Sequence, residues 1–483
     1  MRRTLHFATG ALAAVLGVAS YAQGPKSGPA DDKDRLFQSA VSAYESGRYA
    51  EAIAPLEKLV REVPNTFEVH ELLGLVYAAQ SEDAKSNEHL SRAVRLKPDS
   101  AEARSNLAAS YARLGKMDLA EEQFSKAVEL QPNTYDTNHN FGAALAHNSK
   151  VAKAIPYLEK AQALNPTSYD NGYDLSLAYF VAGRRNDARN AVQSLLKLKN
   201  NAELHNLLAQ IEENDGNFIA AANEFQAAAH LDPSESNLFD WGGELLVHRT
   251  LDPAVEVYRQ ATQRYPNSPR LMVGLGMAYY ARGNYEDAVK AFLRGADLDP
   301  SDARCYKFLA RAYDSSPSQA AEVIERFRRY AELQPKNGLA LYYYAMSLWK
   351  GKRAQDPEFD PKQIDSLLRR AISADPTLGE AHLQLGNLKA DQGKFTDAIP
   401  EYQRALELNS DLADAHYRLG QAYVRSGQKD QAQDQFQVYQ QLRAQHLADL
   451  EKQRADIRQF VYSERVSGSV LTNPEIRKES ARP

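Results

Sequence analysis

From Lys33 almost to the C-terminus, this 483-residue chain repeats one pattern about every 34 residues. The clearest copy is AEARSNLAASYARLGKMDLAEEQFSKAVELQPN, residues 101–133, where Leu107, Ala108 and Tyr111 precede Gly115 and are followed by Ala120, Phe124, Ala127 and Pro132. One period upstream stand Leu73, Gly74, Tyr77, Leu90, Ala93 and Pro98. One period downstream stand Phe141, Gly142, Leu145, Ala154, Leu158, Ala161 and Pro166. Such a period specifies stacked supersecondary units that bury their core between neighbours, with no need for domain breaks.

Spacing supplies the local structure. Leu107, Ala108 and Tyr111 share one face of a first helix, and Ala120, Phe124 and Ala127 share one face of a second. Small residues at Ala108, Ala120 and Ala127 let the two backbones approach, with Tyr111 and Phe124 filling the flanks. Gly115 closes the first helix in the left-handed region, and Pro132 cannot be carried inside the second. The turn glycine recurs as Gly47, Gly183, Gly216, Gly283, Gly393 and Gly427. The closing proline recurs as Pro64, Pro233, Pro266, Pro300, Pro335 and Pro376.

These residues resemble the tetratricopeptide (TPR) repeat, over residues 33–445 as about twelve units. The resemblance implies an all-α fold, a right-handed superhelical solenoid of antiparallel helix pairs. Departures are local. Ser86 replaces the small alanine of the second unit, and the unit after Pro300 keeps Ala310 and Tyr313 but loses its regular second helix. Extra residues after Trp349, GKRAQDPEFDPKQ, are expected to form a surface loop between two helices.

Residues 1–22 hold Arg2 and Arg3, an apolar run from about Phe7 to Val18, and Ser20-Tyr21-Ala22, the three parts of a secretory signal peptide. The run is too short to span a bilayer comfortably. Residues 23–32 read as a linker, 446–466 as a C-terminal helix capping the end of the array, and 467–483 as a disordered tail. No later segment is apolar enough to cross a membrane. The single cysteine, Cys305, excludes a disulfide framework and reads as a packed residue of a late first helix. An exported chain without disulfides fits a bacterial periplasm or cell surface. The formal charge of -5 argues against wholesale nucleic-acid binding.

No catalytic constellation stands apart from the packing slots, and the expectation is a chain that is not an enzyme and needs no cofactor or metal. Gly274-Leu275-Gly276 falls inside a repeat helix with no strand before it, so it reads as close packing rather than a dinucleotide loop. His70, His205, His382 and His416 all stand three residues before a core leucine, as packing residues of separate units. His139 and His147 would lie roughly 12 Å apart along a helix, too far for one metal.

The resemblance implies that ligands bind on the first helices, which line the concave surface. Acids open most of them, as Glu68, Glu102, Asp136, Asp170, Glu203, Glu380 and Asp414, where they complement the helix dipole. Arg270 and Arg304 run against that preference and, with Lys307 and Arg311, form a basic patch, either an anionic-ligand site or a set paired with acids of neighbouring units. Tyr173, Leu177 and Phe180, then Met277 and Tyr280, then Tyr342, Met346 and Trp349 occupy slots facing the groove, with Phe239 one residue off the series. Aromatic and methionine side chains on such a wall suit a peptide or helix laid into it. Asn106 and Asn140 occupy a slot that resembles the asparagine ladder of O-linked sugar transferases, while the lysines of a chaperone-type carboxylate clamp are absent. The expectation is a non-catalytic scaffold outside the cytoplasm that binds a protein or peptide in its groove. The alternative is a periplasmic or surface protein that binds a glycan or anionic ligand.

Overall fold

The computed structural model describes residues 29–317, 319–351, 359–444 and 447–468. Residues 1–22, expected to be an export signal, most of the expected linker, the centre of the insert and the tail from 469 lie outside the described residues. Among the described residues every regular element is a helix. The described chain divides into two compact units, one running to Ala221 and one from Ala222 through the last helix.

The first unit holds α1 (Pro29–Glu45), α2 (Tyr49–Glu62), α3 (Phe67–Ala79), α4 (Asp83–Leu96), α5 (Ala101–Arg113), α6 (Met117–Leu130), α7 (Tyr135–His147), α8 (Val151–Leu164), α9 (Tyr169–Val181), α10 (Arg185–Leu198) and α11 (Ala202–Asn214). The boundary falls within α12 (Phe218–Leu231). The second unit continues with α13 (Glu235–Val247), α14 (Leu251–Arg264), α15 (Pro269–Arg282), α16 (Tyr285–Leu298), α17 (Ala303–Ser315), α18 (Ala320–Leu333), α19 (Gly338–Gly351) and α20 (Pro361–Ala374). It then runs through α21 (Gly379–Asp391), α22 (Phe395–Leu408), α23 (Ala413–Arg425) and α24 (Lys429–Ala444) to a longer helix, α25 (Leu447–Gly468).

Each pair closes as the spacing predicts. In α5 the Ser100 hydroxyl accepts from the Ala103 amide at 3.1 Å, satisfying an amide that the helix start would otherwise leave open. Ala108, Phe124 and Ala127 are then fully buried between α5 and α6. The turn between paired helices needs one left-handed residue. Gly115 supplies it at φ 71°, but Ser81, Ser149, Arg249 and Gln319 take the same conformation at φ 62°, 59°, 60° and 56°. Gln319 starts α18, a regular helix of 14 residues, so the unit after Pro300 does have its second helix, contrary to expectation. Gln319 takes the place of the usual turn glycine there, which hides the helix start from a reader of the pattern.

A Cβ on Gly276 would stand 2.6 Å from the Phe292 ring, so Gly274-Leu275-Gly276 is a packing feature of α15 against α16. The histidine slot is likewise structural. His70 Nδ1 meets His89 at 3.0 Å, His382 Nδ1 meets Glu401 at 2.9 Å and His416 Nδ1 meets Gln435 at 2.7 Å, each partner 19 residues on in the second helix of the same pair. The other ring nitrogens of His70 and His416 bond Pro64 O and Ser410 O, both at 3.0 Å, tying down the loop before the helix. Cys305 is buried with its thiol donating to Phe292 O at 3.1 Å, and burial pushes that thiol far above its ordinary pKa.

The insert joins α19 to α20, where Asp360 caps the helix by accepting from the Lys362 amide at 2.9 Å. Residues 352–358 lie outside the described residues. The helix read as an end cap lies elsewhere. The described side chains of α25 touch α13, α15 and α17, the first helices of three consecutive pairs in the middle of the array, rather than α23 and α24 at its end.

Candidate docking face on the first helices

The twelve residues singled out from the sequence divide between the two units. Tyr173 and Phe180, with Leu177, are half-buried on α9 beside the core that α10 and α11 build. Tyr173 stacks near Tyr169 with ring centroids 6.3 Å apart, and the Tyr169 hydroxyl donates to Glu203 at 3.0 Å. The other ten residues belong to α13, α15, α17 and α19.

Charge and shape converge on α25 there. Along it Asp456, Ile457, Phe460, Val461, Glu464 and Arg465 recur at helical spacing and so share one face. Phe460 and Val461 are buried at 3% and 0% exposure. The Phe460 ring meets Phe239 of α13 edge-on at 5.8 Å and Phe308 of α17 edge-on at 6.4 Å, both favourable aromatic geometries. Val461 sits on Gly243, where a Cβ would stand 2.7 Å from Val461 Cγ1. Gly243 adjoins Gly242, whose missing Cβ makes room for Tyr258, so α13 carries one glycine for its own pair and a second for α25.

Acids of α25 meet the basic patch. Asp456 accepts from Lys307 Nζ at 2.8 Å and from Arg311 at 2.6 Å, and Glu464 accepts from Arg304 at 2.5 Å. Burial would raise the Asp456 carboxyl, but the two cations outweigh it and hold its pKa below the ordinary value. The Arg304 guanidinium also lies over the Phe460 ring at 5.3 Å. At the C-terminal end Arg465 reverses the charge order. It donates to Asp240 O at 2.8 Å and to Glu244 at 3.3 Å, with its guanidinium 4.5 Å above the Phe225 ring. Glu244 is fully buried, yet His248 and Arg465 hold its carboxyl below the ordinary pKa against the effect of burial.

Several expectations change accordingly. Phe239 and Met277, at 0% and 1% exposure, are core residues rather than open groove wall, since both join the continuous core that includes Phe460 and Val461. Arg270 pairs with Glu235 at 2.8 Å on the preceding first helix and lies 5.0 Å above the Phe239 ring. Arg304, Lys307 and Arg311 pair with acids of the chain itself, though of a helix distant in sequence rather than of a neighbouring unit. Tyr280 leans on Tyr285 at 5.4 Å. Tyr342, Met346 and Trp349 are half-buried on α19 and still present part of their surface. Burial pushes the Tyr342 hydroxyl far above its ordinary pKa. The sequence reading missed Gly243, Asp240, Glu244 and Phe308. The signals were a second glycine inside a helix that needs one, and a matching stripe on α25.

Among the described residues no group of three His, Cys, Asp or Glu side chains is placed to hold a metal. Asn106 donates to Glu71 at 3.5 Å and Asn140 is buried, so neither is an open rung.

Paired helices joined by left-handed turns on a regular beat define a helical repeat protein, a fold that suggests a protein–protein interaction scaffold. Models of the tetratricopeptide repeat match residues 37–86, 101–134, 145–211, 239–303, 386–427 and 414–446. The chain is a tetratricopeptide repeat protein of about twelve units.

Similar curated proteins include protein O-mannosyl-transferase TMTC3 of Mus musculus, 27% identical over 192 residues, which covers 37% of this chain and 20% of the relative. The Homo sapiens TMTC3 is 26% identical over 246 residues, covering 48% of this chain and 26% of the relative. The chain thus spans about a quarter or less of their length. Among solved structures, Pseudomonas aeruginosa PilF is 19% identical over 42% of this chain and 94% of its own, with a TM-score of 0.38. The expectation that the chain is not an enzyme is overturned by the curated relatives, four of which carry the name protein O-mannosyl-transferase.

Proposed function

We propose that this repeat array acts outside the cytoplasm and takes a peptide or protein surface against its first helices. The observation that carries the reading is α25 itself, a helix seated across α13, α15 and α17 through two buried apolar side chains and five charged contacts. A face that accepts one helix with this complementarity has the shape for recognition of a helix in a groove. Tyr342, Met346 and Trp349 on α19 offer the same class of side chain beyond the docked helix. The glycan or anion reading loses support, because Arg270, Arg304, Lys307 and Arg311 are all engaged by acids of the chain. Export is supported by the arginine pair, apolar run and small-residue site of residues 1–22.

Photo-crosslinking from position 346 in the native cell tests the docking face. Captured protein that disappears in Tyr342→Ala/Trp349→Ala supports the proposal, and crosslinks unchanged by that double substitution refute it. N-terminal sequencing tests export, with a mature start near Gln23 as the expected result. The mannosyl-transferase relatives favour a second reading, in which the array serves a glycosyl-transfer protein. Its assay is transfer of labelled mannose to a protein acceptor by the purified chain.

A further inference from the structure

We infer that the face formed by α13, α15 and α17 is a receptor site for an amphipathic helix of mixed charge, acids with one arginine at its C-terminal end on the contact face, supplied by a partner protein, and that α25 is a displaceable copy of that ligand. The inference rests on the docking reading above and names the chemistry of the occupant. The receptor presents, in order along the docked helix, the cations Lys307 and Arg311, an apolar floor of Phe239, Gly243 and Phe308, the cation Arg304, and the acids Asp240 and Glu244. The complementary ligand is a helix with an acid, then Phe-Val or a similar pair four and five residues on, then acid-Arg at eight and nine. Only such a helix meets both charge signs in this register.

Two features distinguish a built site from incidental packing. Gly243 lies inside a helix, where glycine is unfavourable, and its own pair does not need it: a Cβ there meets Tyr258 only at 3.5 Å, an ordinary contact, but would strike Val461 at 2.7 Å. The cations at one end of the docked helix stand at the rim: the Arg304 and Lys307 side chains remain 44% and 41% exposed, as expected for pairs that form and separate in water, while Arg465 against Glu244 is buried at the other end. Because α25 is tethered, its effective concentration at the site is about millimolar or above, so a free helix competes only when it binds tighter or when α25 is weakened.

The test uses the full chain and a labelled synthetic peptide of residues 447–468, read by fluorescence anisotropy. The peptide is expected to bind Phe460→Ala/Val461→Asp at least tenfold more tightly than it binds the wild type, because the variant empties the site without touching its walls. Asp456→Lys, which leaves the apolar anchors in place and so tests the same point without a core lesion, should show a smaller gain in the same direction. Adding Lys307→Glu/Arg311→Glu to the first variant should remove at least tenfold of the binding. Equal, weak binding by wild type and both released variants, with helical content retained, overturns the inference and makes α25 a permanent part of the core. Binding indifferent to Lys307→Glu/Arg311→Glu overturns the proposed ligand chemistry. A dimer of the released variants that the peptide dissociates overturns the partner in trans, since the occupant is then α25 of a second copy. Crosslinking from position 346 reports on partner capture on α19 independently of these outcomes, so failure here and failure of the general docking reading are separable.

Discussion

Glu71 on α3 offers a stringent test of the packing in the first unit. Its side chain is buried at 2% exposure, and its hydrogen bond from Asn106 Nδ2 is long, at 3.5 Å. Burial first, and the neighbouring Glu102 carboxylate second, push its pKa from the ordinary 4.5 up to about 8. Native protein therefore keeps a proton that the unfolded chain releases, and stability falls as pH rises from about 4.5 through about 8. At pH 7 the two pKa values differ in effect by about 3 kcal/mol. Glu71→Gln keeps the shape and the Asn106 bond but has no charge to suppress. It should stabilise the first unit by about 3 kcal/mol at pH 7 and leave it nearly unchanged at pH 4. Urea unfolding followed by circular dichroism at the two pH values measures the difference. Equal effects at pH 4 and pH 7 would show that the carboxyl does not titrate as its burial requires.

Arg249→Gly should raise stability by about 1 kcal/mol, because the residue sits at φ 60° in an exposed turn where other pairs use glycine; the check is a shift in urea midpoint at constant slope. Ser86→Ala should gain about 1 kcal/mol, since its hydroxyl is fully buried with no partner, and an unchanged or lowered midpoint would count against that reading. Because Lys307 and Arg311 depress the Asp456 pKa, their pairing with α25 is complete above its ordinary value of 3.8 and weakens as pH falls through the lower docked value. Energy transfer between dyes on α13 and α25 should therefore stay constant from pH 7 to about pH 5 and drop only in stronger acid; a drop near neutrality would assign the contact to another group.

The beat of the array is legible because each unit repeats the same local demands. Ala108 against Phe124 and Gly276 against Phe292 are the same contact, a small residue on the first helix under a ring on the second, so spacing alone exposes them. The histidine slot is legible for the same reason. Gln319 shows where local reading stops: a polar residue took the left-handed position, and the helix behind it went unseen. Phe239 and the basic patch were found as departures from the repeat, but their meaning was not, because their partners lie far along the chain. Arg465 reaches Glu244 across 221 residues, and a contact of that span leaves no periodic trace on either side. Sequence could mark the face as unusual, while only the folded chain shows what lies on it.

The span between α13 and α25 has a consequence in time. Arg465 bonds the backbone of a residue made 225 positions earlier. At about 5–20 residues per second, α13 is complete for roughly 10–45 seconds before its docking helix exists. Through that interval Phe239 and Gly243 face whatever surrounds the nascent chain. Any factor that escorts this protein during its synthesis would meet the array bare on that side, so the later arrival of α25 is what ends its availability.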